Sequence, residues 1–504
     1  MDLKVYKDSI TAAETICDTK AELPIETEIL IPDYLPQVFK IVKCFVRLVV
    51  LQKQILQGRL TAEGYLRCVV YYQSDSEQSL CQIEQKVPFS KQVELREGEY
   101  RNWYAFVTGE TEYLNCRAVN QRRIDIRGAY ALSVKVSASM EQEILTTLSE
   151  SGMEQKLAAL KGVRTVAVQE KLVTVEETIS FDAQPVMVLD ISSQSAVSEV
   201  KMIAGKAVVK GDITSEITYR TAPGYAVQKA VKVLSFNEVL DMEGAMPECQ
   251  SFVFVEPTGC TVLAGTDGAE GAISVTALIT ARAYQQCEYL AVCDAFSTVY
   301  ETSLENKSVA LESVTDNFIT QVSAVAEGNL PDENAQIIDV RASALPVEII
   351  EADGELTVRG RAIAHIICIN SLGEIDCYDK TAEYVLPKRY LGDLQNTSAI
   401  CVPTVISVSA RKAGAEAQAK ITLSVQGLIT NRIKTGVLER VEELGAHPNE
   451  ESDIALRIYY ADAGEDLFDI AKRYHASPSL IGSVNNIEQG TLQTRQQLLI
   501  PSAN

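Results

Sequence analysis

The chain has 504 residues, with 46 Lys or Arg against 68 Asp or Glu, so its formal net charge is -22. That charge opposes long-range attraction to nucleic acid or anionic lipid, and leaves proteins or neutral glycans as the partners to expect. At 46% apolar and 23% charged the composition is that of folded domains, too long for one core, and no apolar run reaches the length that crosses a bilayer.

Met1 to Lys20 alternates charged and apolar residues and lacks the basic start and apolar run of a secretory signal. The twelve cysteines are scattered singly, with no Cys-x-x-Cys pair. Both features lead us to expect free, buried thiols in a reducing cytoplasm.

The first unit, 1–161, reads as strand almost throughout: an alternating stretch from Leu23 to Ile31, Pro36 before the apolar run Val38 to Val50, and a closing alternation from Ile124 to Val136. Between them lie Gly58 and Gly64, six apart, with Tyr72 at plus 8 and Phe89 at plus 25 from the second glycine. Residues 141–161 are the exception, because Ile144, Leu145, Leu148, Leu157 and Leu160 are spaced for a helix interrupted near Ser151 and Gly152.

The second unit, 162–287, repeats the plan with Gly205, Gly211, Tyr219 at plus 8 and Phe236 at plus 25. In the third, 288–430, the set is Gly354, Gly360 and Tyr384 at plus 24. First glycines 147 and 149 residues apart define a repeat of domain size. Spread along strand, they suit bulges or close backbone approach and not a phosphate loop, which needs clustered glycines before a helix. Residues 431–456 are charged with little apolar pattern and read as a linker that lets the last module move independently.

The module 457–504 reads strand, helix, helix, strand. Ile458 to Tyr460 form the first strand, Gly464 a turn and Asp466 the N-cap of a helix with Leu467, Ile470, Ala471 and Tyr474 on one face; Asp469 suits its positive end. Pro478 opens a helix with Leu480, Ile481 and Val484, and Leu498 to Ile500 close the module.

Through these residues, with Tyr459, Glu465, Asn485, Asn486, Ile487 and Pro501, the module resembles a LysM domain. The resemblance implies a groove lined by Gly464, Glu465, Asp466, Leu467, Asn486, Ile487 and Gly490, of the kind that takes N-acetylglucosamine glycans. Glu465-Asp466 stands where the family has Asp-Thr or Asp-Ser, and Arg495 where it often has glycine; both add charge to the groove. Repeats followed by LysM resemble the SPOCS-domain proteins of spore-forming Firmicutes. That resemblance implies a mainly β protein of three tandem β-sandwich-like SPOCS domains followed by a small α+β (βααβ) LysM domain. It also implies a non-enzymatic role in spore coat assembly, in the mother-cell cytoplasm at the forespore surface, with a coat basal-layer protein (a SpoIVA-like ATPase) as the LysM partner. The alternative is a cell-wall protein that binds peptidoglycan.

For catalysis or metals the residues offer little. Of the three histidines, His365 lies an odd number of positions from Cys368 on a strand, so the two face opposite sides, and His475 follows the first LysM helix, facing solvent. Cys287 and Cys293 lack two further ligands at metal spacing. No catalytic residue, metal site or cofactor is expected.

Overall fold

A computed structural model of the chain describes residues 3–76, 78–221, 227–265, 270–392, 394–447, 456–487 and 490–501. One strand plan is drawn three times. The first unit comprises β1 (Lys4–Leu30), β2 (Val38–Leu56), β3 (Arg59–Ser74), β4 (Leu80–Glu94), β5 (Tyr100–Asn120) and β6 (Arg123–Ser149). The second comprises β7 (Met153–Ser180), β8 (Pro185–Ile203), β9 (Lys206–Thr221), β10 (Val227–Asp241), β11 (Gln250–Ala264) and β12 (Glu270–Ser297). The third comprises β13 (Tyr300–Asn329), β14 (Gln336–Ala344), β15 (Glu348–Ala352), β16 (Glu355–Ile369), β17 (Ile375–Leu391), β18 (Thr397–Ala413) and β19 (Glu416–Ala446). Pro346, with no amide hydrogen to give a ladder, lies in the break between β14 and β15, which together stand where β2 and β8 stand.

In each unit the middle strands form one antiparallel sheet, β2-β3-β4, β8-β9-β10 or β14/β15-β16-β17. The first, last and penultimate strands form the other, β1-β6-β5, β7-β12-β11 or β13-β19-β18. Alternating side chains such as Ile124, Ile126, Leu132 and Val134 fill the space between the two sheets. The fold is therefore mainly β, three sandwiches and a small α+β module.

The glycine pairs do two separate jobs. Gly58, Gly205 and Gly354, at φ 72°, 71° and 75°, sit in the hairpin turns that open β3, β9 and β16, so they are turn and not strand glycines. Each second glycine lies directly across the ladder from the aromatic: Gly64 from Phe89, Gly211 from Phe236, Gly360 from Tyr384. A Cβ on Gly360 would lie 2.2 Å from the Tyr384 ring, and one on Gly211 2.7 Å from that of Phe236. At these two positions the missing side chain makes room for the ring, whereas at Gly64 it makes room for the Val49 carbonyl, 2.0 Å from where a Cβ would lie. Phe236 and Tyr384 are buried, while Phe89 is half-buried against its core.

The expected unit boundaries at 161/162, 287/288 and 430/431 fall inside β7, β12 and β19. The first and last strands of each unit are 27 to 31 residues long and only part of each lies in its sandwich. Register shifts at Thr15/Cys17, Ala283/Tyr284 and Val314/Asp316 mark the places where each pair leaves its sandwich as a two-stranded ribbon. The three ribbons pack together around Ile10, Ile144, Leu160, Ala291, Val309 and Val437, and farther along around Leu145, Leu148, Val292, Ala295, Leu438 and Val441.

This packing also explains the helix expected over 141–161, which is strand on both sides of a turn at Gly152. A register shift opposite Tyr6/Lys7 sends Leu145 and Leu148 into one cluster and leaves Ile144 in another, and that imitates helical spacing. The expected linker is corrected as well: 431–446 belong to β19, paired with β13, while the linker positions 448–455 lie outside the described residues.

Where the units meet, Arg282 of β12 is 2% exposed. Its Nε donates to Thr165 Oγ1 (3.1 Å), its Nη1 to the Tyr104 hydroxyl of the first unit (2.9 Å), and its Nη2 to Glu312 of the third. All twelve cysteines are free, five of them buried.

Truncating Phe236 to Ala should cost about 3 to 5 kcal/mol in chemical denaturation, and truncating the exposed Val231 less than about 0.5. Arg282→Met leaves the Glu312 carboxylate buried without its cation. It should cost about 3 to 5 kcal/mol, which the double variant Arg282→Met/Glu312→Gln should largely restore.

Candidate docking site on the terminal module

The terminal module consists of β20 (Leu456–Ala461), α1 (Leu467–Arg473), α2 (Pro478–Asn485) and β21 (Gln496–Pro501), with β20 and β21 antiparallel. Asp466 caps α1: its Oδ1 accepts from the Phe468 amide at 2.8 Å. Pro478 starts α2, and Asn486, left-handed at φ 54°, ends it. The Asn485 side chain accepts from Leu499 N and donates to Leu499 O, both at 2.7 Å, which pins α2 to β21.

The loops that the sequence assigned to a groove do come together. Gly464 N donates to Leu492 O (2.8 Å), Leu492 N to Glu465 O (2.8 Å) and Leu467 N to Gly490 O (3.0 Å), so the two loops form one rim. Glu465 is held by the Tyr459 hydroxyl at 2.8 Å and the Asp462 amide at 2.9 Å, and these bonds keep its carboxyl below the usual range. Arg495 does not stand alone on this rim; its Nε pairs with Asp462 at 3.2 Å. Asn486 is exposed, and Ile487 is half-buried against the module's core.

Leu467, which the sequence placed both on the apolar face of α1 and in the groove lining, takes the first of these places. It is 1% exposed and belongs to the module's core with Ile470, Ala471, Ile481 and Leu498, because the α1 periodicity turns it inward. Outward apolar residues instead include Leu456 (45% exposed), Ile458 (58%) and Tyr460 (66%) on β20, and Leu480 and Val484, one turn apart on α2.

The module is also not free of the repeats. Phe468 of α1 meets Phe296 of β12 edge-on, ring centroids 5.2 Å apart. Lys156 of β7 reaches Asp466 at 3.0 Å, Asp294 of β12 binds Lys472 at 2.5 Å, and the His447 and His475 rings lie 3.9 Å apart. Partial burial works against the Asp466 charge, but the Lys156 and Phe468 hydrogen bonds outweigh it and hold the carboxyl below its usual value. These partners are distant in sequence and carry no local pattern, so the sequence alone suggested a freely moving module.

Residues 37–119 and 186–262 match the family model described as the SipL SPOCS domain, and 462–501 match the LysM domain. The two SPOCS segments coincide with β2–β5 and β8–β11; the third unit repeats their topology. No curated protein and no solved structure matches the chain.

Burial and the neighbouring His447 ring depress the pKa of His475 below its ordinary 6.5, with Glu301 opposing. A depressed histidine binds its proton more readily once undocked, so docking is intact above about pH 6.5 and weakens as pH falls through it. The protection factors of the α1 amides, taken relative to the intrinsic exchange rate at each pH, should therefore drop as pH falls through about 6.5. In His475→Gln that drop should vanish; an unchanged profile in this variant would assign the effect to another group.

Proposed function

We propose that this chain, which carries SPOCS domains and a LysM domain, is a non-enzymatic scaffold of spore coat morphogenesis. It docks a protein of the coat basal layer, a SpoIVA-like ATPase, through its LysM end in the mother cell at the forespore surface. The observation that carries the reading is the way the module presents itself. One end of its rim is engaged by its own chain, Asp466 by Lys156, while Ile458, Tyr460, Leu480 and Val484 are left exposed. Exposed aromatic and aliphatic side chains on a rigid element are what a protein partner covers. Gly464, Glu465, Asp466, Asn486, Ile487 and Gly490 frame the contact; Leu467 supports it from the core.

The LysM resemblance itself supports the second reading, a rim that takes N-acetylglucosamine oligomers. The full chain should be assayed against the basal-layer ATPase and against those oligomers in parallel. Protein binding weakened by roughly 30-fold in Val484→Asp or Ile487→Asp, with the fold retained, supports docking. Tight sugar binding with no protein binding would overturn it.

A further inference from the structure

We propose that His365, Cys377 and Asp379 form a binding site for a divalent transition-metal ion of the zinc type at the contact between the first and third units. His365 on β16 lies directly opposite Asp379 on β17, and Cys377 precedes Asp379 by two positions and so shares its face. Their donor atoms all lie within 4.8 Å of one another. His365 Nδ1 is 2.7 Å and Cys377 Sγ 3.8 Å from the same oxygen, Asp379 Oδ1. Imidazole nitrogen, thiolate sulfur and carboxylate oxygen form a mixed donor set that suits zinc and not magnesium or calcium.

The surroundings orient all three groups. Ser343 Oγ lies 3.0 Å from His365 Nε2, which fixes the ring and aims Nδ1 at the carboxylate, the support a metal-bound histidine ordinarily has. Lys43 of the first unit holds the other carboxylate oxygen, Oδ2, at 2.5 Å and leaves Oδ1 for the ion. Phe45, also of the first unit, stands edge-on to the imidazole with ring centroids 4.7 Å apart. His365 is 5% exposed, whereas the Asp379 side chain is 40% exposed, so a small ion has a path in from the carboxylate side.

Ser343, His365 and Asp379 also trace the hydrogen-bond order of a hydrolytic relay. A relay has no use for a thiol on the same carboxylate oxygen; a metal site does. On binding, the imidazole proton moves from Nδ1 to Nε2, where Ser343 Oγ accepts it, and the Cys377 thiol releases its proton as the sulfur takes the metal. One proton, that of the Cys377 thiol, thus leaves to solvent for each cation bound. The fourth coordination position falls to water.

Sequence spacing set Cys368 on the face opposite His365, and the structure places Cys368 in the third unit's own core. The ligands that matter lie across a ladder, and only strand register brings them together.

Zinc titration of the full chain, with magnesium as control, tests the site, and cobalt serves as a spectroscopic probe. One zinc should bind per chain, and cobalt should show a thiolate charge-transfer band that Cys377→Ser removes. Cys377→Ser and His365→Gln should each weaken zinc roughly 100-fold, and Ser343→Ala about 10-fold. His475→Ala, at the stacked His447 and His475 rings, should change nothing. Absence of zinc binding, binding indifferent to Cys377→Ser, or binding lost with His475→Ala would each overturn the proposal. Should His365→Gln fail to fold, the near-isosteric Cys377→Ser carries the test.

Discussion

A guanidinium buried where three units meet constrains everything around it. Arg282 spends its donors on Thr165 of its own unit, Tyr104 of the first and Glu312 of the third, and its plane also lies over the Tyr104 ring, 4.7 Å from the centroid. Burial favours the neutral form, but Tyr104 and Glu312 outweigh it and keep the arginine charged. Burying such an ion pair gains little net stability over apolar packing, so its contribution is positional. A ribbon that slipped by one residue would turn Arg282 or Glu312 away from the other and leave a bare charge in the interior.

A second arginine repeats the device among the sandwiches. Arg341 of the third unit bonds Asp339 at 2.8 Å, Asp190 of the second at 3.1 Å, and the hydroxyl of Tyr71 in the first. Tyr71 in turn donates to Leu189 O at 2.8 Å. Each unit has its own core, yet both arginines draw partners from the other two units. Beside this node, Lys40 and Lys43 on β2 meet Asp376 and Asp379 on β17, both at 2.5 Å, along the edge strand that lies next to His365 on β16.

The ribbons have a functional consequence. They extend the chain away from the sandwiches and give the LysM module a surface to sit on, with Phe296 of β12 entering its core. A module fixed in this way presents a preorganised face, so a partner does not have to order it. The exposed residues of β20 and α2 therefore stand in a fixed relation to the repeats.

Much of this was written locally. The glycine and aromatic spacings determined that the domain is repeated three times, because a hairpin turn needs a left-handed residue and a cross-strand ring needs an empty position opposite it, both requirements on single residues. The caps at Asp466 and Pro478 determined the helices of the LysM module in the same way. What the sequence could not determine was where units end, whether Leu467 faces in or out, what holds the module, and which residues gather around His365. Those depend on contacts such as Lys156 with Asp466 or His365 with Asp379, whose members lie far apart in the chain or on different strands. A strand's period says which residues share a face; only the register and packing of the folded chain decide what that face meets.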